Sequence, residues 1–196
     1  MAISLTKTNA KVEADRAQFE EIMLRTQSQA FKLAYRLTGD RAEAEDLTQE
    51  TYIRAYRFFD RYDPAHSFMG WLYRIMGRIH ADRCRKQRKT KAIFPPYDLT
   101  EETKEIADIS GCPEQALLNQ TFDTRIQTGL RAMNPDFRLV LLMADVEGMG
   151  YEEIADSMSV SVGTIRSRIH RARKQLKDYL KQFAPGVFDE GVIDEL

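Results

Sequence analysis

Apolar side chains return at steps of three and four residues along most of this chain, a period that belongs to helices packed on one face. Phe19, Ile22, Met23, Ala30, Leu33, Ala34 and Leu37 mark a first amphipathic helix, predicted from about Glu13 to a stop at Gly39. Asp40 is placed to cap a second, with Ala44, Leu47, Thr51, Tyr52, Ala55 and Phe59 turned inward until Pro64 ends it. Ser67 caps a third, whose buried stripe is Phe68, Trp71, Leu72, Ile75 and Ile79. The pattern resumes after Pro113 with Leu117, Phe122, Ile126 and Leu130, breaks at Met133-Asn134-Pro135, and continues through Phe137, Val140, Leu141 and Ala144 to Glu147-Gly148. The fold class expected is all-α.

Between Lys91 and Pro113 the period fails, Pro95 and Pro96 adjoin, and acidic residues dominate. Two small helical domains are therefore expected, residues 13–90 and 114–182, joined by a flexible acidic linker over 91–113 and followed by an acidic tail over 183–196. Residues 1–12 lack firm periodicity and are expected as a mobile lead-in. The net charge of −1 conceals blocks of opposite sign. Bases cluster at Arg78–Lys91 and Arg166–Lys181, acids at Asp98–Glu114 and in the tail.

Several function classes find no support. The longest apolar runs, such as Leu139 to Ala144, fall far short of the ~20 residues that cross a bilayer. With no signal pattern at the N-terminus, a cytoplasmic protein without membrane insertion is expected. Cys84 and Cys112 form neither a disulfide scaffold nor a zinc motif, and His80 with Cys84 offers at most two ligands. His66, His80 and His170 lie in different segments, without a nucleophile motif or glycine-rich phosphate loop. The chain reads as a non-enzyme with no metal and no cofactor.

The stretch Tyr151 to Lys181 reads as helix, tight turn and longer helix, the second helix-start being capped by Ser161. Ile154, Ala155 and Met158 face inward in the first helix, and Val162, Ile165, Ile169, Ala172 and Leu176 form the seam of the second. Thr164, Ser167, Arg168 and Arg171 share another face, with Arg166 and Arg173 on its flanks. Hydroxyls and arginine forks at the start of such a helix suit base edges and phosphates. The arginines could instead merely solvate a surface helix. Against that reading, the only acid between Val162 and Lys181 is Asp178, so the Glu/Lys pairing of a solvated helix is nearly absent.

Two further surfaces each carry two readings. Tyr62, Phe68, Trp71 and Tyr73 lie beside Arg74, Arg78, Arg83, Arg85 and Lys86, the residue types that stack unpaired bases and hold their phosphates. Aromatics at helical spacing are more often core, and Phe68 and Trp71 are assigned mainly to packing. The outer face of the second helix, with Glu43, Asp46, Gln49 and Glu50, is either solvated or a dock for a basic partner, and composition alone favours solvation.

The segments EAEDLTQETYIRAYR, SFMGWLYRI with its following basic run, and EGMGYEEIADSMSVSVGTIRSRIHRARKQL together resemble the extracytoplasmic-function sigma factors of the sigma-70 family of bacterial RNA polymerase. The likeness runs from about Phe19 to Lys181, departing at Arg78, commonly asparagine in the family, and at Met69, often basic. It implies that the N-terminal domain is sigma region 2, binding core RNA polymerase through Glu45, Asp46, Gln49 and Glu50. Opening and reading of the −10 element would fall to Arg61, Tyr62, His66, Ser67, Arg74, Arg78, Arg83, Arg85 and Lys86. The C-terminal domain would be sigma region 4, reading the −35 element through Ser161, Thr164, Arg166, Ser167, Arg168, Arg171 and Arg173. Implied partners are core polymerase, promoter DNA and an anti-sigma factor, the chain being monomeric when free or 1:1 with its inhibitor. The alternative is a stand-alone helix-turn-helix regulator, using the C-terminal helix pair alone.

Overall fold

The computed structural model of the chain describes residues 2–93 and 124–183, and every regular element among them is helical. The first helix, α1, spans Ala2–Thr38 and so begins well before the expected start at Glu13. Residues 2–12 contain neither glycine nor proline, so a helix nucleated further along extends through them at little cost per residue. Periodicity marks the part of a helix that packs, not the whole helix. Gly39 ends α1 with φ of 71°, its N–H donating to the Tyr35 carbonyl at 2.7 Å. Asp40 then caps α2 (Arg41–Arg57) by accepting from the Glu43 N–H at 2.9 Å.

After a single 3₁₀ turn at Phe59–Arg61, α3 runs Phe68–Ile93, two residues past the expected linker start. Ser67 caps it, its hydroxyl accepting from the Gly70 N–H at 3.3 Å. Leu33, Leu37, Leu47, Leu72, Met76 and Ile79 are fully buried where α1, α2 and α3 meet. The remainder of the expected linker, the helix start at Pro113 with Leu117 and Phe122, and the tail beyond Phe183 lie outside the described residues.

The second half comprises α4 (Thr124–Ala132), α5 (Pro135–Leu141), a π turn (Leu142–Val146), α6 (Tyr151–Met158) and α7 (Val162–Phe183). Asn134 caps α5 through the Asp136 N–H at 2.9 Å. The π turn inserts one residue and closes with the Glu147 N–H on the Leu142 carbonyl at 2.9 Å, leaving the Glu147 side chain facing α1 and α3. Ser159, at φ of 54°, makes the left-handed step between α6 and α7, and Ser161 caps α7 by accepting from the Thr164 N–H at 3.2 Å.

The two halves are packed together. Helices α5 and α6 lie on α3, and α4 lies on α1. A methyl group added at Gly77 would overlap Leu139, and one at Gly70 would overlap Ser157, so the approach depends on these two glycines lacking a Cβ.

Candidate nucleic-acid interface

The face of α7 expected to read duplex DNA is assembled as its spacing implies. Arg166, Ser167 and Arg171 are exposed, with Thr164 and Arg168 half-buried beside them. The Ser161 and Thr164 hydroxyls lie 2.9 Å apart, and Ser167 donates to the Thr164 carbonyl at 2.9 Å, which fixes these side chains over the first turn. Arg173 is placed differently. Its guanidinium donates to both Asp145 oxygens at 3.0 and 2.5 Å, an ion pair that holds α7 to the π turn and raises the guanidinium above its ordinary value.

The aromatic loop forms a second centre. The Tyr62 ring stacks on Phe59 at 6.0 Å and meets Phe68 and Trp71 at 5.4 and 5.2 Å, while its hydroxyl donates to the His66 carbonyl at 2.8 Å. Burial pushes the Tyr62 phenol upward, with the Asp63 charge adding to it. Phe19 packs beneath against Phe59 and Phe68. Arg61 leans on the exposed Phe58 ring at 5.1 Å, and His66 lies 3.9 Å from Asp63. Arg61, Arg74 and Arg78 are exposed around the loop and along α3, with the exposed His66 ring among them, so an unpaired base meeting Tyr62 would find arginines nearby. Tyr73 is not among them: it is fully buried and donates to Glu147 at 2.7 Å, burial first and Glu147 second pushing its phenol far up.

The remaining expected cations divide. Arg83 donates to Glu50 at 2.7 Å, and Arg54 donates to the same carboxylate at 2.6 Å. The Arg83 bond foremost holds the Glu50 carboxyl below its usual range. A residue assigned to the −10 surface and one assigned to the polymerase surface thus form one ion-pair cluster. Arg85 pairs with Asp82 on its own helix, and Lys86, the residue after it, is exposed. Glu45, Asp46 and Gln49 stand exposed on α2, Glu45 accepting from Arg41 at 2.9 Å. Ile53, 54% exposed one turn further on, extends that face with an apolar side chain that the charge pattern did not bring out.

Arg74 donates to the Ser159 hydroxyl at 2.8 Å, so an expected −10 residue touches the turn of the helix-turn-helix. Glu147 accepts from Gln29, Arg36 and Tyr73 at 2.8, 2.9 and 2.7 Å, its side chain 6% exposed and that of Arg36 12%. Arg138, buried, donates to the Leu37, Arg131 and Met133 carbonyls, binding the C-terminal ends of α1 and α4. Its Nη1 also lies 3.4 Å from His80, whose imidazole is lowered to about 4 by burial and then by the Arg138 and Arg83 charges. The sequence reading missed Arg36, Arg138 and Glu147. For Arg138 a signal existed, a lone cation inside the apolar run Phe137–Met143; for the other two there was none. Among the described residues no cluster of three or more potential metal ligands occurs, and no helix is long and apolar enough to cross a membrane.

Residues 22–90 match the family model of Sigma-70 region 2, and residues 123–176 that of Sigma-70, region 4. The chain is 37% identical over 168 residues to the ECF RNA polymerase sigma factor SigE of Mycolicibacterium smegmatis, across 86% of this chain and 63% of that protein, less than two thirds of its length. To the ECF RNA polymerase sigma factor SigW of Bacillus subtilis it is 30% identical over 173 residues, across 86% of this chain and 92% of that one. In fold it is similar to the sigma factor RpoE in complex with the anti-sigma factor NepR from Bartonella quintana, with a TM-score of 0.60 and 23% identity over 84% of this chain and 97% of that one. It is likewise similar to CnrH in complex with the cytosolic domain of CnrY, with a TM-score of 0.58 and 22% identity over 88% and 94%.

Proposed function

Because the chain belongs to the extracytoplasmic-function sigma factors of the sigma-70 family, we propose that it acts as a promoter-specificity subunit of bacterial RNA polymerase in the cytoplasm. The observation that carries this reading is the presence, on one chain, of two surfaces whose side chains suit DNA in complementary ways. One is the hydroxyl-and-arginine face of α7; the other is the aromatic loop at Tyr62 flanked by Arg61, His66, Arg74 and Arg78. The first suits a duplex major groove, Thr164, Ser167, Arg168 and Arg171 meeting the −35 element. The second suits a separated strand at the −10 element, a base stacking in the aromatic loop and its phosphates lying along α3. Stacking of that kind offsets the few kcal/mol needed to extrude a base, so strand opening requires binding energy and no covalent chemistry, catalytic residue or cofactor. Glu45, Asp46 and Gln49 with Ile53 supply the face toward core polymerase, and an anti-sigma factor is the expected inhibitor.

The packed arrangement belongs to the chain when it is not on a promoter. In it the two surfaces lie side by side, Arg74 on α3 touching Ser159 in the turn ahead of α7, and the longest helix, α1, runs about 55 Å. The −10 and −35 elements, by their positions, lie about 25 base pairs apart, roughly 85 Å of duplex. Engaging both requires the halves to separate, and residues 94–123 can reach ~100 Å when extended. The test is transcription with purified core enzyme from templates carrying a mapped promoter. Initiation that depends on this chain and on both promoter elements is expected; tight duplex binding without core enzyme, with no effect on initiation, would replace this reading with a stand-alone regulator.

A further inference from the structure

A groove of about 370 Å³ runs along α7 beside the DNA-facing arginines. Leu141, Leu176 and Leu180 form its apolar lining, His170, Arg173, Lys174 and Lys177 its polar edge, and among the described residues no carboxylate lines it. Arg173 is neutralised by Asp145, but Lys174 and Lys177 are exposed and have no hydrogen-bond or ion-pair partner among the described residues. The groove thus presents apolar surface edged by two uncompensated positive charges.

The chain continues from Phe183 as APGVFDEGVIDEL. After Pro185 and Gly186 come two five-residue units, Val187-Phe188-Asp189-Glu190-Gly191 and Val192-Ile193-Asp194-Glu195-Leu196, each setting an apolar pair before an acidic pair. That is the complement of the groove. Proline disfavours continuation of the helix and glycine admits a sharp reversal. Lys177 and Lys174 lie roughly 9 and 14 Å back along α7 from Phe183. Asp189 can reach ~20 Å from the same point and Asp194 ~35 Å, so both acidic pairs come within range of the basic edge once the chain turns back.

We propose that residues 184–196 fold back along α7 and occupy this groove, their apolar pairs against Leu141, Leu176 and Leu180 and their carboxylates beside Lys174 and Lys177. A tether this short supplies an effective concentration in the millimolar range, enough to fill a site too weak to hold the same segment as a free peptide. The docked carboxylates cancel positive charge next to the face that meets DNA, so the segment acts as an internal competitor of phosphate.

The experiment compares amide NMR spectra of the full chain with those of a chain ending at Phe183. Shifts are expected at Leu141 and along residues 170–180, unchanged on tenfold dilution and reproduced in the full chain by Lys174→Glu with Lys177→Glu. Neutralising the acids instead, Asp189→Asn, Glu190→Gln, Asp194→Asn and Glu195→Gln, gives the same shifts without touching the groove. Removing the segment is expected to raise affinity for duplex DNA about 3- to 10-fold at 50 mM salt, the difference vanishing near 0.5 M. Groove amides that do not move on truncation would leave the groove to another protein and overturn the proposal. Shifts that depend on protein concentration would assign it to the tail of a second copy, which also overturns it. The spectra require no promoter and no polymerase, so their outcome is independent of the sigma-factor reading.

Discussion

Replacing Glu147 by glutamine keeps the side chain's shape and removes its charge. In the native chain this nearly buried carboxylate accepts three hydrogen bonds, from Gln29 and Arg36 on α1 and Tyr73 on α3. Burial lowers the Arg36 guanidinium, and Glu147 first and Tyr73 second pull it back up, so this carboxylate offsets part of the cost of burying the charge. Removing one member of a buried pair costs about 3–5 kcal/mol, because the other charge stays behind. A glutamine carbonyl still accepts one or two of the three bonds, which offsets about 1–1.5 kcal/mol. About 1.5–4 kcal/mol remains, and it falls on the contact between the halves, since every donor lies on α1 or α3. That corresponds to a shift toward separation of roughly 10- to 900-fold. Native-state hydrogen exchange reads it directly: amides of α3 and α6 under the contact should lose protection by this factor, while those around Leu47 and Ala172 keep theirs. Arg36→Met combined with Glu147→Gln should recover most of the loss, since no charge is then stranded. Unchanged protection in the single variant, or a double variant as exposed as the sum of the two singles, would refute the clamp.

Gly77→Ala forces a methyl group onto Leu139 and is expected to weaken the same contact by about 1–3 kcal/mol without lowering the stability of either half alone, as read by scattering from the free chain and thermal unfolding. His80 has a folded value near 4 against an ordinary value of ~6.5, so between these pH values the unfolded chain binds a proton that the folded one does not. Its contribution to stability is therefore full above pH ~6.5 and falls as pH drops toward 4, by on the order of 2–3 kcal/mol; urea unfolding across that window should show a slope that His80→Gln flattens. Asp46→Lys, at an exposed site on α2, should leave the helical signal intact and reduce core-polymerase binding at least tenfold in a pull-down titration, and unchanged binding would move the docking face elsewhere. Arg171→Ala should cost about 1–3 kcal/mol in duplex recognition, a 5- to 150-fold loss in initiation that depends on the −35 element, with little effect on unfolding.

The local features were legible because their causes are local. Asp40, Ser67 and Ser161 each cap a helix whose free amides lie three residues away, and each was visible as a short polar side chain ahead of an apolar period, whereas Asn134 read only as part of a break before Pro135. The shared face of Thr164, Ser167, Arg168 and Arg171 follows from 3.6 residues per turn and nothing more. Where the helical backbone runs past the apolar period, as in α1 before Glu13 and α3 through Ile93, the spacing carries no signal of it, and the helix bounds differ from those expected.

The destination of each charge was a different matter. From sequence an arginine reads as exposed, since its cost of burial depends on partners that can lie anywhere along the chain. Arg173 finds Asp145 at a separation of 28 residues, Arg83 finds Glu50 at 33, and Arg36 finds Glu147 at 111. The same bundle of basic residues is thereby sorted into cations that face solvent, such as Arg78, Arg166 and Arg171, and cations that hold helices together. The amino-acid pattern determined by itself that this is an all-helical chain with a helix-turn-helix and an aromatic-basic loop, because helical period, caps and turns act over a few residues. That its two halves lie against each other, joined through Glu147 and brought close by Gly70 and Gly77, was decided only in three dimensions, where desolvated charge must meet its counter-charge and backbone can approach only where a side chain is missing.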